Sequence, residues 1–353
     1  MRYFNNDYNE VCHPAILKAL AENAGTQMPG YSADSLCAEA AALIRKKCEA
    51  PNAAVHFLVG GTQTNLTVIA ASLRPHQGVI AAESGHINVH ETGAIEATGH
   101  KVIVLPSKDG KVDPILAAKV IDSQSLSMDA EHIVQPKMIY ISNPTEYGTL
   151  YSLAELKGLS TLCKEKGLYL FVDGARMGYG LAAAGNDITL ADYAKYSDAF
   201  YIGGTKVGAM FGEAVVISNP AIADDFRYLM KQRGGMLAKG WLLGLQFKTL
   251  FEKDLYYQIS AHADQMADKI RNTLTGLGYE LYLPGATNQV FVTLPDKLLN
   301  ELAKEFTFAT WERADENHTT VRFCTSWATN DENVDALCKT LKNLSEHELR
   351  IVI

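Results

Sequence analysis

Seven short apolar runs divide the first two thirds of the chain: AAVHFLV (53–59), GVIAAE (78–83), KVIVLP (101–106), KMIYIS (137–142), LYLFVDG (168–174), DAFYIGG (198–204) and EAVVIS (213–218). They are of strand length, near-continuously apolar rather than alternating, and several are bounded by Gly or Pro. Between the first five lie segments with helical character, such as TQTNLTVIAASLR (62–74) and SLAELKGLSTLCKEKG (152–167). Strands that are apolar on both faces and separated by helices predict an α/β fold, with a mostly parallel seven-stranded sheet between two layers of helices. From about residue 220 the pattern is mainly helical through the 270s. Strand-like YELYLP (279–284), QVFVTL (289–294) and TVRFCTS (320–326) follow, and then a last helix from about 331. The expected organisation is a polar N-terminal arm over 1–35, a large domain over 36–245 and a smaller α+β C-terminal domain over 246–353.

Composition narrows the partners. A net charge of −8 argues against nucleic acid or an anionic membrane as the main partner. The six cysteines are scattered without a CxxC pair, which reads as reduced thiols of a cytoplasmic protein. The opening MRYFNNDYNE has no apolar run behind its arginine, unlike a signal peptide, and no apolar stretch is long enough to span a bilayer. A soluble cytoplasmic protein with a small-molecule partner is expected.

Several motifs carry possible chemistry. LYLFVDG ends in Asp173-Gly174-Ala175-Arg176, and ligands of open α/β sheets bind at the carboxyl ends of strands. A carboxylate there needs a cationic partner to stay charged, and the protonated nitrogen of a pyridine ring is one. The alternatives are a helix cap or an Asp173–Arg176 ion pair. In FYIGGTKVG, Lys206 follows a strand and is flanked by Gly203, Gly204 and Gly208. Small neighbours admit a planar cofactor, and a shielded lysine has the lowered pKa that imine chemistry requires; the alternative is a surface charge. Val207 in place of Ser or Thr rules out a Walker P-loop. Asp173 and Lys206 on successive strands point to the chemistry more specifically than either alone. Gly60-Gly61-Thr62, between a strand and a helix, offers backbone N–H groups suited to phosphate, or is an ordinary turn capped by Thr62. His86 and His90 are followed by Glu91, but HxxxHE is no known zinc signature and lacks a third ligand, so no metal is expected. His86 fits better as a neutral ring stacked on a cofactor. Gly178-Tyr179-Gly180-Leu181-Ala182-Ala183 matches GxGxxA but lies after its strand has ended, so a dinucleotide is not expected.

With Gly61-Thr62, His86, Asp173-Gly-Ala-Arg176 and Lys206 in this order, the chain resembles the low-specificity L-threonine aldolases. These belong to the β-eliminating lyase group of fold-type I, transferase-like, pyridoxal-phosphate (PLP) enzymes. The resemblance runs from Asn6-Asp7 to Arg322. It implies a PLP Schiff base on Lys206, a pyridine nitrogen held by Asp173, His86 stacked on the ring, and phosphate held by Gly61, Thr62 and nearby backbone. It also implies that Arg176 and Arg322 grip the substrate carboxylate, helped by Asn6 in the place of a family serine. Tyr31 would reach a neighbouring subunit's site in a homodimer or homotetramer with shared sites. Two departures stand out. Thr145 falls where the family carries a histidine near the β-hydroxyl, and Leu237 replaces a phosphate-binding arginine, with Arg233 or Lys239 as possible compensation.

The implied reaction is retro-aldol cleavage of L-threonine, L-allo-threonine or a related β-hydroxy-α-amino acid to glycine and an aldehyde. The proton of the β-hydroxyl would go to His86, His90 or water. Alternatives are an aryl-serine aldolase, a β-eliminating lyase, or a PLP-binding protein without catalysis.

Overall fold

The computed structural model describes residues 1–351. The expected runs form β1 (Ala54–Leu58), β2 (Gln77–Ala82), β3 (Val102–Leu105), β4 (Gln135–Ser142), β5 (Tyr169–Asp173), β6 (Ala199–Gly203) and β7 (Glu213–Ile217) of one seven-stranded sheet. Its order is β1-β7-β6-β5-β4-β2-β3. Neighbours are parallel from β6 across to β3, whereas β7 runs antiparallel to both β1 and β6. The carboxyl ends of β1, β5 and β6 and the amino end of β7 therefore share one edge of the sheet.

Because side chains alternate across a strand, each strand feeds two cores. Leu170 and Val172 of β5, with Phe200 and Ile202 of β6, enter the core on one face. Phe171, Tyr201 and Tyr140 enter the core on the other. Both cores are dry, which is why the strands read as apolar without alternation. The next position on the Phe171 face is Asp173, so the period that builds the core also aims this carboxylate at the helix Gly61–Ser72, whose Val68 and Ile69 cover that face.

At the ends of β5 and β6 the two chains meet backbone to backbone. A Cβ on Gly174 would overlap the carbonyl oxygen of Tyr201, and one on Gly203 that of Ala175. Only glycine permits the approach. The first glycine of the GxGxxA match serves helix packing: a Cβ on Gly178 would collide with Ser260 of the helix Leu255–Gly276.

A three-stranded antiparallel sheet follows, with β8 (Gln289–Pro295), β9 (Ala309–Arg313) and β10 (His318–Cys324) in the order β9-β10-β8. It packs on the helices Leu255–Gly276 and Asp331–Ile351 around a third core containing Val292, Leu294, Val321 and Phe323. The strand expected at 279–284 is not formed: that segment makes a single bridge, Leu281 to Val292. Pro284 and Gly285 end its pairing, since proline donates no ladder hydrogen bond. The third strand is instead ATWER (309–313), half-exposed and without an apolar run. The N-terminal segment belongs to this sheet region. Arg2–Tyr3 pairs in parallel with Phe306–Thr307, and buried Phe4 accepts the Cys324 N–H at 2.7 Å. No helix among the described residues is long and apolar enough to cross a membrane.

Candidate active site

A cavity of about 560 Å³ opens between the shared edge of the large sheet and strands β9 and β10. Gly61, Thr62, His86, Asp173, Arg176, Lys206 and Arg322 all line it. That volume lies in the range of small-molecule sites.

Asp173, 4 % exposed, closes the floor. Its Oδ1 accepts the Ala175 N–H at 2.9 Å and the Tyr201 hydroxyl at 2.5 Å. Oδ2 accepts the Tyr140 hydroxyl at 2.6 Å and Asn65 Nδ2 at 3.0 Å. Burial pushes this carboxyl up, but His86 and these donors outweigh it and hold Asp173 below the usual carboxylate range. It is a fixed negative charge facing the cavity. Tyr140, Tyr201 and Asn65 were not singled out in the sequence. Their signal was the two-residue alternation that sets Tyr140 and Tyr201 on the face of Asp173.

Lys206 sits on the turn after β6. The turn is held by Gly204 and Thr205 N–H donation to the Gly212 carbonyl at 3.0 and 3.1 Å, and by the Gly212 N–H to Thr205 Oγ1 at 2.9 Å. The buried Tyr179 hydroxyl donates to the Lys206 carbonyl at 2.5 Å. Burial first, then the Arg176 charge, lower the pKa of the amine.

At the far end, the helix Gly61–Ser72 begins without a side-chain cap and with Gly60 at its N-cap. Its first N–H groups and dipole face the cavity wall formed by Gly60, Gly61, Thr62 and Thr205. Gln63 donates to the Arg233 carbonyl at 3.1 Å, which places the Arg233 segment beside this turn. Arg233 Nε is buried without a partner, yet neither Arg233 nor Lys239 lines the cavity.

The two arginines differ. The Nε and Nη2 of Arg176 donate to Asp7 at 2.7 and 3.0 Å, and Asn288 Nδ2 adds a third donor to Asp7 at 2.9 Å. The fork of Arg176 is thus engaged by a fully buried carboxylate of the N-terminal arm. Arg322 donates to Gln289 Oε1 at 3.0 Å and to the Asn5 carbonyl at 2.9 Å, and its Nε is buried without a partner. Among the described residues no carboxylate forms a salt bridge with it.

His86 Nδ1 lies 2.8 Å from Glu91 Oε1. A carboxylate only accepts, so Nδ1 carries a proton, and in the neutral ring Nε2 is the acceptor. The same Glu91 oxygen accepts Asn65 Nδ2 at 2.7 Å, linking His86 to Asp173 through one asparagine. Glu146 accepts the His86 N–H at 2.9 Å and the Ser142 hydroxyl at 2.6 Å, and burial raises its pKa. Thr145 lines the cavity, but its hydroxyl is 2.6 Å from that of Thr149 and 3.3 Å from the Asp109 carbonyl. It is engaged within its own loop.

Asn6 and Tyr31 lie off the cavity. Asn6 Oδ1 accepts the Tyr8 N–H at 3.0 Å, a local turn. Tyr31 is 44 % exposed, and the ammonium of Lys231 stands over its ring at 4.6 Å. One further acid was missed. Glu213, at the start of β7, lines the cavity beside Lys206. A lone charge heading an otherwise apolar strand was the available signal.

The family model for beta-eliminating lyases matches residues 13–297. Over 345 residues, 97 % of each chain, the sequence is 29 % identical to the low specificity L-threonine aldolase of Pseudomonas aeruginosa. It is 27 % identical over 241 residues to that of Saccharomyces cerevisiae, covering 67 % of this chain and 60 % of the relative. A solved threonine aldolase from Leishmania major is 46 % identical, with a TM-score of 0.95 over 98 % of this chain and all of that one. An aspartate aminotransferase of Thermus thermophilus shares the fold at a TM-score of 0.71 and 16 % identity, covering 96 % of this chain and 90 % of that one.

The Asp7–Arg176 pair has a measurable signature. Burial pushes Asp7 up, but the Arg176 charge prevails and lowers its pKa from 3.8 to about 2. A depressed folded-state pKa contributes stability above pH 3.8 and loses it as pH falls towards 2. The contribution is about 2 kcal/mol. Asp7→Asn is expected to lower unfolding stability at neutral pH by about 3–5 kcal/mol, because it leaves Arg176 buried without a counter-charge. Urea unfolding of both proteins across the acid range checks it. The gap should narrow as the wild type protonates, and equal stability at neutral pH would count against the pair.

Proposed function

The chain belongs to the beta-eliminating lyase family and stands among its threonine aldolases; from that premise we propose that it cleaves L-threonine and related β-hydroxy-α-amino acids to glycine and an aldehyde, with pyridoxal phosphate attached at Lys206. The observation that carries this reading is the pairing of Asp173 and Lys206 at adjacent strand ends around one cavity, with the unpartnered Nε of Arg322 buried at its wall.

The residues present fit the cofactor. Asp173 is ionised where a protonated ring nitrogen needs an anion, the uncapped helix start at Gly61 suits a phosphate, and Lys206 presents an amine of lowered pKa. When bound, pyridoxal phosphate supplies an electron sink for the pair released as the Cα–Cβ bond breaks. The chain's own residues do the rest. Arg322, which lines the cavity, binds the substrate carboxylate in a charge-assisted contact. Arg176, with its fork on Asp7, lines the same cavity and assists that grip. Orientation at Cα decides which bond is cleaved. The β-hydroxyl must lose its proton, and His86, held by Glu91 with Nε2 free, is placed to accept it. Tyr31 belongs to a neighbouring subunit's site in a homodimer or homotetramer.

Three outcomes are expected. Borohydride treatment of the yellow protein, followed by mass mapping, should find the reduced cofactor on Lys206; label on another lysine overturns the assignment. Arg322→Ala should leave the visible spectrum intact and lower kcat/KM by about 10- to 100-fold, the equivalent of roughly 1.5–3 kcal/mol. Loss of the cofactor with unchanged substrate affinity would contradict the role given to Arg322. Because the Thr145 hydroxyl is engaged with Thr149, aldehyde release from L-threonine and L-allo-threonine should show little preference, and the D-isomers should not react. No aldehyde, with pyruvate or ammonia from other amino acids, would replace aldol cleavage by β-elimination.

A further inference from the structure

Among the residues that line the cavity, Trp311 is the largest apolar side chain, and the cleavage reaction gives it no part. It lies on β9, the edge strand without an apolar run. Across the β9–β10 pair the register steps from Thr310 opposite Val321 to Glu312 opposite Thr320, so Trp311 has no residue opposite it. It is the extra residue of a β-bulge, and a bulge beside a site re-aims the side chain it carries. Two rings then hold the indole. Phe291 meets it edge-to-face, with centroids 5.0 Å apart and planes at 81°, and Tyr147 does so at 5.4 Å and 66°. Tyr147 also packs on Phe291 at 6.0 Å, which closes a triangle of three rings. Ring quadrupoles favour such separations and tilts, and the triangle fixes the orientation of the indole before any ligand arrives. Trp311 is nevertheless only half-buried, so part of the indole is left uncovered by protein.

We propose that Trp311 is a specificity-determining residue: its indole receives the substituent on the substrate's β-carbon and selects planar aromatic groups over the methyl group of threonine. The inference rests on the reading of this cavity as the amino-acid site, with Arg322 on the carboxylate, and deepens it. Ala309 on β9, Arg322 on β10 and Phe291 on β8 stand in register across the small sheet. Residues directly opposite one another share a sheet face. Trp311 joins that face through its contact with Phe291, so Arg322 and Trp311 border the cavity from the same side. Tyr147, the other ring on Trp311, follows Thr145 by two positions in the loop after β4, and Thr145 lines the cavity as well. The indole therefore bridges the sheet that carries Arg322 and the loop that carries Thr145. In an amino acid the β-carbon is two bonds from the carboxylate carbon, so a substrate held at Arg322 must place its β-substituent against a wall close by. The Thr145 hydroxyl is engaged with Thr149, and the indole supplies apolar area instead. A methyl group covers little of an indole, whereas a phenyl ring can lie offset on it or meet it edge-on, and removes more apolar surface from water.

The test reads binding apart from cleavage. L-Phenylalanine and L-alanine carry no β-hydroxyl, so retro-aldol cleavage cannot consume them, and calorimetry on the cofactor-loaded protein gives their dissociation constants. Wild type should bind L-phenylalanine about 10-fold or more tighter than L-alanine. Trp311→Ala should lose about 10-fold or more on L-phenylalanine and less than about 3-fold on L-alanine, and Trp311→Phe should restore most of the preference. A purely structural role would weaken both ligands equally, and that result overturns the proposal. So does a wild type without preference, or an L-phenylalanine affinity that Trp311→Ala leaves unchanged. Should Trp311→Ala not fold, Trp311→Leu keeps apolar bulk without an aromatic face, and an unmoved ratio between the two ligands there overturns the proposal equally. Aldehyde release then separates this inference from the reading beneath it. The kcat/KM of wild type should be higher for L-phenylserine than for L-threonine, and that ratio should fall about 10-fold or more in Trp311→Ala. The expected binding ratios with no aldehyde from either substrate would keep the role of Trp311 and remove aldol cleavage. Aldehyde from both substrates, in the same ratio for wild type and Trp311→Ala, would keep aldol cleavage and remove the role of Trp311.

Discussion

A carboxylate kept ionised at the buried floor of a cavity is the constraint around which this molecule is arranged. Taking such a group out of water costs several kcal/mol unless donors and a counter-charge replace the water. Asp173 meets this with hydrogen bonds from the helix after β1, from β4, from β6 and from its own loop. Each donor must stand on the same face of the sheet. The strand period puts Tyr140, Tyr201 and Asp173 there together, while the helix Gly61–Ser72 brings Asn65 down from above. The helix whose flank satisfies the acid also starts at the cavity wall, so the uncapped helix start and the acidic floor are set by one rigid element. Through Asn65 and Glu91 the same network orients His86.

A second buried charge ties distant segments to this frame. Asp7 comes from the N-terminal arm, Arg176 from the loop after β5, and Asn288 from the entry to β8. Their contact ties the arm and the C-terminal sheet to Arg176, which lines the cavity. It also separates the two arginines by function: one has its fork neutralised by protein, and the other keeps a buried donor unpartnered. The arm therefore serves the site through Asp7 and through the Asn5 carbonyl, whereas the Asn6 side chain folds back on its own turn.

Much of this was legible along the chain because it depends on local pattern. Near-continuous apolar runs demanded a sheet covered on both faces, and glycines at Gly174 and Gly203 marked the strand ends where backbones touch. The edge strand 309–313 left no trace, since an exposed strand has no apolar signature, and YELYLP misled because its pairing with β8 stops at Pro284 after a single bridge. The partners of Asp173 were equally hidden. Tyr140 and Tyr201 look like core aromatics, and only their shared face makes them donors.

The amino-acid sequence by itself determined the fold class and the seven strands of the large sheet, and marked Asp173 and Lys206 as candidates that line one cavity, because strand period, turn glycines and residue chemistry are properties of short windows. The tertiary structure alone decided which charges neutralise each other. Asp7 is 169 positions from Arg176, and Glu213 meets the Gly204 N–H of the turn before Lys206 only because β7 is inserted antiparallel between β1 and β6. Electrostatic partnership depends on distance and burial in space, and neither is encoded in spacing along the chain.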